Sequence, residues 1–299
     1  MELRHLRYFI AVAEEGSLTV AAEKRLFTAQ PSLSRQIRDL ESEVGVELMT
    51  RSARGIELTP AGRVFLDHAR LALSQVEAAT EAARRIARPA KPTFALGFLT
   101  GQEVDWLPET MRVLSDELPN IEITISSQYS PDLADSLMRG KLDVAFLRAE
   151  QNTPDLEYIV VAREPFVVIM PSDHPLAQSQ DVDVNDLAGE LFIGASEIAT
   201  PMRTAIEDYL RASEVNLVPT HFIHNLTMAM SLVASTRGVA LLPMYAENFL
   251  PWSVTSRPLR GTPPTIDLVI GYNKTNTSPL LKLFLSRVDG LIKRASQKR

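Results

Sequence analysis

The feature that most constrains this chain is a change of hydrophobic period near residue 92. Thr59-Pro60 is a cap-then-proline helix start. From Pro60 to Arg88 the chain is rich in Ala, Leu, Val and Arg, with no further proline and only Gly62 near its beginning. Val64 or Phe65, Ala69, Ala72, Val76, Ala79, Ala83 and Ile86 draw an apolar stripe along it. A helix of that length spans roughly 43 Å at ~1.5 Å per residue. Such a helix wants a partner, either a second copy of the chain or the chain's own domains. "RPAKP" (Arg88–Pro92) then stops it and reads as a hinge.

From Thr93 onward the pattern is strand–helix alternation. "FALGFL", "IEITIS", "LDVAFL", "EYIVV", "FVVIM", "LFIG", "VALLP" and "IDLVIGY" are candidate strands. Helical stretches lie at Leu107–Leu118, Pro131–Arg139, Pro201–Ala212, Leu226–Ser235 and Pro279–Ser296. Near-continuous apolar strands separated by helices predict an α/β architecture with mainly parallel sheets. About 200 residues is large for one such sheet, so two subdomains with a cleft between them are expected.

The N-terminal segment reads as short helices. Leu3, Leu6, Phe9, Ile10 and Ala13 mark the first, ended by Gly16. Ser17 or Thr19 caps a second, whose Ala21 and Ala22 allow a close helix crossing. "TAQPSLSRQIRDLE" (Thr28–Glu41) is the third. Leu33, Ile37, Leu40 and Val44 share one face, and Pro31, Arg35, Arg38 and Asp39 fall opposite. Thr28 is expected to cap its first turn. Two short helices, the second with an exposed polar face, make a helix-turn-helix. "ELMTRSARGIELT" after it reads as a hairpin or wing turning at Ser52–Gly55.

The net charge of −6 is unevenly spread. Residues 1–92 hold 14 Lys+Arg against 12 Asp+Glu, while the remainder holds 17 against 25. The sign change fits one part meeting a polyanion and the other not, with phosphate contact coming from clusters such as Arg35/Arg38 and Arg51/Arg54. The chain has no cysteine, which excludes disulfides, zinc–thiolate sites and a Cys nucleophile. No apolar run approaches the ~18–20 residues of a membrane span. "MELRHLRYFI" is too short and charged for a signal peptide, so a cytoplasmic protein is expected. His221 and His224 form H-x-x-H without carboxylates beside them, and neither a metal nor a cofactor is expected. No H-E-x-x-H, G-x-S-x-G or Walker sequence occurs, so an enzyme is not expected.

Taken together, "LRHLRYFIAVAEEGSLTVAAEKRLFTAQPSLSRQIRDLESEVGVELMTRSARGIELTPAG" resembles the winged helix-turn-helix of LysR-type transcriptional regulators. "GKLDVAFLR", "EPFVVIMPSDHPLA" and "LVASTRGVALLP" resemble the effector domain of that family, in order. The branch it looks most like controls the degradation of aromatic acids. The resemblance implies a DNA-binding domain at 1–59, a linker helix and hinge at 60–92, and an effector-binding domain at 93–299. That last domain would comprise two Rossmann-like subdomains with a periplasmic-binding-protein fold, one from 93–161 with 266–299 and the other from 162–265. It also implies partners: double-stranded promoter DNA, a small organic acid, further copies of the chain in a dimer or tetramer, and RNA polymerase.

Residue by residue, the resemblance makes the third helix the recognition helix. Gln30 would read adenine, and Arg35 would fork onto guanine or bind phosphate. Thr28, Pro31, Ser32 and Ser34 would meet bases or phosphates, with Arg38, Arg51 and Arg54 on the backbone. The family pattern is AA-x-x-L-x-x-A/S-Q, and "AAEKRLFTAQ" has one residue more. The turn at Arg25–Phe27 is expected to absorb it. If it does not, the recognition helix shifts.

In the effector domain, the resemblance places Leu99, Thr100, Gly101, Gln102, Ser130 and Arg148 on one wall of the cleft. Thr200, Pro201, Met202, Phe222 and Asn225 stand on the other, with His221 nearby. Helix N-termini suit a carboxylate there, and Arg148 would pair with an acid. Ser130 and Thr200 equally suit plain helix caps, and Met202 and Phe222 plain core. Without its N-terminal module the chain would read as a solute-binding protein, or as an enzyme on the same scaffold.

Overall fold

A computed structural model of the protein describes residues 1–52, 55–87 and 91–296. The chain divides into two compact units, Met1–Ile86 and Ala87–Arg299.

In the first unit, α1 (Leu3–Glu15) buries Leu6, Phe9, Ile10 and Val12 and ends at Gly16, whose φ of 62° is left-handed. Ser17, and not Thr19, is the next cap: its Oγ accepts the Val20 N–H at 3.3 Å. The single turn α2 (Leu18–Val20) runs directly into a π-helical stretch, Ala21–Leu26. The extra residue of "AAEKRLFTAQ" is therefore taken up as a wider turn of the helix, which overlaps the expected turn at Arg25–Phe27 and closes on Phe27. Ala21 and Ala22 stay fully buried. α3 (Gln30–Val44) buries Leu33, Ile37 and Leu40, whereas Val44 leaves the stripe at the last turn and is exposed. Ala29, not Thr28, is its N-cap, and no side chain caps it. Thr28 belongs to the preceding turn, where its N–H donates to the Ala22 carbonyl at 3.0 Å.

β1 (Met49–Ser52) and β2 (Gly55–Leu58) pair antiparallel, Met49 opposite Leu58. Their hairpin is pinned to the end of α1. The Ile56 N–H donates to Gly16 O at 2.8 Å, and a Cβ on Gly55 would stand 2.5 Å from that oxygen. α4 (Pro60–Ala87) starts with Thr59 Oγ1 accepting the Gly62 N–H at 2.9 Å. Phe65 rather than Val64 joins the core, edge-on to Phe9 with ring centroids 5.1 Å apart. Val64, Ala72, Ala79 and Ala83 are exposed on the single chain.

The second unit opens with β3 (Thr93–Leu99), α5 (Glu103–Val113), β4 (Glu122–Gln128), α6 (Ser130–Met138) and β5 (Val144–Leu147). Next come β6 (Leu156–Pro171), β7 (Phe192–Ala195), α7 (Thr200–Ala212), β8 (Pro219–Ile223), α8 (Leu226–Thr236) and β9 (Val239–Pro243). β10 (Val254–Pro258), β11 (Thr265–Asn273), α9 (Pro279–Ser286) and α10 (Val288–Ser296) complete it. The strands run β4-β3-β5-β11-β6-β9-β7-β8, with β10 also on β6.

The sheet is mixed, which corrects the expectation of mainly parallel pairing. β3 is parallel to β4 and β5, and β7 to β8 and β9. β11 is antiparallel to β5 and β6, and β6 to β9 and β10. The cause is that "EYIVV" and "FVVIM" are one strand. Leu156–Pro165 of β6 pair with β11, and from Phe166 onward the same strand pairs with β9 and β10. The polar "REP" between the two apolar runs marks the change of partner, not a turn. The expected single helix Pro279–Ser296 also breaks, at Arg287, whose Nη1 donates to Val113 O at 2.7 Å.

Each half has its own core. Phe94, Leu96, Phe98, Trp106, Phe146 and Phe284 fill one, and Phe166, Val168, Phe192, Ile206 and Leu241 the other. Among the described residues no helix is long and apolar enough to cross a membrane.

Gly62 supplies a sharp test of the first unit, because a Cβ there would lie 1.9 Å from the Leu48 carbonyl oxygen. Gly62→Ala should cost on the order of 3 kcal/mol, seen as a lower denaturation midpoint by circular dichroism. Gly290→Ala in α10, where a Cβ meets open space, should instead be neutral or stabilising by up to about 1 kcal/mol.

Candidate functional site

Two surfaces carry the candidate residues, one in each unit. On α3, the side opposite Leu33, Ile37 and Leu40 exposes Pro31, Ser32, Arg35 and Arg38, while Gln30 and Ser34, and Thr28 in the turn before the helix, are half-buried. Arg35 reaches no closer than 3.9 Å to Asp39, and Arg38 Nε donates to Ser34 O at 3.3 Å. Glu41 holds this helix against the wing, its Oε1 accepting the Leu48 and Met49 N–H groups at 2.8 and 3.0 Å. Arg51 stands in β1 opposite Ile56, and Arg54 lies outside the described residues.

Behind α3, Glu14 receives both Arg25 and Arg70, the latter at 2.6 Å. Burial alone would raise the Glu14 carboxyl, but its hydrogen bonds to Arg70 and Arg25 outweigh that and hold it below its ordinary value. The pairing fastens α1 to both the π-helical stretch and α4.

In the second unit, a cleft with about 90 Å³ of free volume opens where the carboxyl ends of six strands converge. Leu99 ends β3 and Thr100 follows it, Tyr129 and Ser130 follow β4, and Arg148 and Glu150 follow β5. Across from them, Ile198, Pro201 and Met202 follow β7, His224 and Asn225 follow β8, and Tyr245 follows β9. Ligands in open α/β sheets sit at the carboxyl ends of the strands, where helices begin. Here α6, α7 and α8 all start at the cleft, and α8 is capped by Asn225, whose Oδ1 accepts the Met228 N–H at 2.7 Å.

Arg148 is the charged centre of this wall. Its N–H donates to Ser130 Oγ at 2.9 Å, and its Nη2 donates to Glu164 Oε2 at 2.5 Å. Both side chains are buried, 7% and 0% exposed, so the cation is neutralised inside the protein. Gln102 Nε2 bonds the same carboxylate at 3.0 and 3.2 Å. The guanidinium carbon lies 5.8 Å from the Tyr245 ring centroid. Arg148 Nη1, buried, has no hydrogen-bond partner, and neither has Glu150 Oε1. Burial pushes the Glu150 carboxyl above its ordinary value. Tyr245 is pushed up to about 12, chiefly by burial, with Glu164 and Glu103 adding to the rise and Arg148 opposing it.

The structure thus brings Leu99, Thr100, Ser130, Arg148, Pro201, Met202 and Asn225 to one cleft. Four expected residues are not on its lining. Gly101, at φ 97°, is a turn residue packed against Tyr245 and Phe249. Gln102 is fully buried beneath the wall, bonded to Glu164. Thr200 turns its hydroxyl to Glu197 O at 2.7 Å. Phe222 is half exposed on β8, because alternate strand residues face opposite ways and its neighbour Ile223 takes the cleft side. Sequence reasoning missed Glu164, Glu150 and Tyr245. The one signal for Glu164 was a carboxylate in the polar "REP" that interrupts two apolar runs.

The N-terminal module and the cleft define a DNA-binding regulator with a ligand-binding domain, and comparison with known proteins agrees. Residues 3–63 match the model of the bacterial regulatory helix-turn-helix protein, lysR family, and residues 87–290 match the LysR substrate binding domain. The chain belongs to the LysR family of transcriptional regulators. It is 37% identical to the Hca operon transcriptional activator HcaR of Escherichia coli, over 96% of this chain and 97% of that protein. It is 33% identical to the transcriptional regulator BenM of Acinetobacter baylyi, over 87% of this chain and 86% of that one. The crystal structure of full-length BenM matches with a TM-score of 0.60 at 28% identity, covering 99% of this chain and 98% of that. The protein is therefore a ligand-responsive transcriptional regulator, in a family of regulators rather than enzymes, whose members bind promoter DNA and small-molecule effectors and form oligomers.

Tyr245 gives the cleft a pH signature. The folded protein keeps its phenol protonated to about 12, whereas an unfolded tyrosine ionises near ~10. Between those values the unfolded state gives up a proton that the folded state retains, so stability falls as pH rises. The expected loss is on the order of 2 kcal/mol, and Tyr245→Phe should flatten it in alkaline denaturation curves.

Proposed function

We propose that this regulator senses a small aromatic or other organic acid in the cleft. The observation that carries the reading is the buried Arg148 guanidinium, held by Glu164 through Nη2 and without a partner at Nη1, in an otherwise largely apolar lining. A carboxylate meets that N–H edge in a charge-assisted bond, and Leu99, Ile198, Met202 and Leu242 supply apolar contact for a ring. The similarity to HcaR and BenM supports the aromatic branch.

On DNA, the exposure of Pro31, Ser32, Arg35 and Arg38 supports α3 as the reading helix, with Gln30 toward adenine and Arg35 toward guanine or phosphate. The exposed small residues along α4 support pairing with a second copy, within a tetramer that acts with RNA polymerase in the cytoplasm. A ligand that touches both cleft walls favours one spacing of the DNA-binding units over another through its differential affinity.

The test is thermal unfolding of the full chain with benzoate, salicylate, muconate and phenylpropionates. At ~100 times its dissociation constant, a specific acid adds about 2.7 kcal/mol. That gain should vanish in Arg148→Met paired with Glu164→Gln, a double change that leaves no buried charge alone. An acid whose stabilisation survives the double change would overturn the role given to Arg148.

A further inference from the structure

The turn that opens onto α3 contains a residue that the reading of Gln30–Arg38 does not use. The π-helical stretch Ala21–Leu26 closes on Phe27, whose backbone is left-handed at φ 49° and ψ 48°. The Phe27 N–H donates to Ala22 O, and the Thr28 N–H donates to the same oxygen at 3.0 Å. A left-handed backbone suits glycine or asparagine and is disfavoured for a bulky residue. The residue is also 87% exposed, so its apolar surface stands in water. Phe27 therefore carries both a backbone cost and a solvation cost, with almost no burial inside the protein to offset them. Strained residues of this kind cluster where the strain serves a function.

Its position suggests the function. Phe27 lies three residues before Gln30, the first residue of α3, and Pro31 and Ser32 beside it are exposed as well. A helix-turn-helix puts the N-terminal end of its second helix into the major groove, which brings the preceding turn to the groove edge. A phenyl ring has no donor or acceptor. The apolar feature the major groove offers it is the 5-methyl group of thymine. We propose that Phe27 contacts a thymine methyl beside the bases read by α3, making it a specificity-determining residue for DNA. The inference rests on α3 entering the groove. The wide turn created by the extra residue is what carries the ring there.

The experiment uses the full-length protein and a duplex recovered by selection from random DNA. Each thymine in the site is replaced in turn by deoxyuridine, which removes only the methyl group. At one such position the wild type should bind about fourfold more weakly, the worth of a single buried methyl. Phe27→Asn suits the left-handed backbone, so it should keep or raise the melting temperature and yet be indifferent to that replacement. Two results overturn the inference: wild type and Phe27→Asn responding alike to every replacement, as a sugar–phosphate contact would give, or a selected site with no thymine flanking the α3 contacts. Gln30→Ala and Arg35→Ala run alongside. If neither changes the selected sequence, α3 is not the reading helix and the inference falls with it. If they change it while uracil has no effect, only the role of Phe27 fails.

Discussion

The buried pair of Arg148 and Glu164 is the interaction on which the second unit is organised. Glu164 sits on β6, two residues before that strand leaves β11 and takes up β9. Arg148 directly follows β5, which lies two strands away with β11 between. The ion pair therefore ties the wall of one half to the strand shared by both. Removing one partner of such a pair leaves an uncompensated charge in the interior, typically worth ~3–5 kcal/mol. The pair also sets what the cleft wall presents: a cation already neutralised on one edge, with its Nη1 buried and without a hydrogen-bond partner.

The continuity of β6 explains why the two halves are related but not independent. Each has its own aromatic or aliphatic core and its own parallel strands with helices on the faces. The central strands are antiparallel because β6 and β11 pass between halves instead of returning through a helix. The strand ends and helix starts of both halves meet at the same opening, so a ligand there necessarily touches elements of each. That arrangement lets a small difference in contact energy favour one relative placement of the two walls.

In the DNA-binding unit, close backbone approaches do the comparable work. Gly55 rests on the Gly16 carbonyl, Gly62 on the Leu48 carbonyl, and Glu41 fastens α3 to the first wing strand. These contacts set the wing and α3 against α1 and α4 within narrow limits. Against that rigid frame, the one extra residue in the second helix had to be accommodated locally. It widens the helix into a π stretch without displacing Ala21 and Ala22 from the core.

Amino-acid order by itself determined whatever depends on local period. The 3.6-residue stripe of Leu33, Ile37 and Leu40, the long seam before Pro89, the glycine stop at Gly16 and the apolar strands after Thr93 all report it. The family resemblance was equally legible, because its motifs are dense and contiguous. Of the cleft, Ser130, Arg148 and Asn225 could be placed because each lies at the end of a readable strand or the start of a readable helix. Tertiary structure decided what depends on distant pairing. The merging of "EYIVV" with "FVVIM", the antiparallel centre of the sheet and the partnership of Arg148 with Glu164 are contacts between separate strands. Phe222 pointing away while Ile223 faces the cleft depends on a strand register that no local pattern specifies. Local period reports which residues prefer burial, but which buried groups meet is settled only when strands far apart in the chain pair and the low dielectric between them forces charges to find one another.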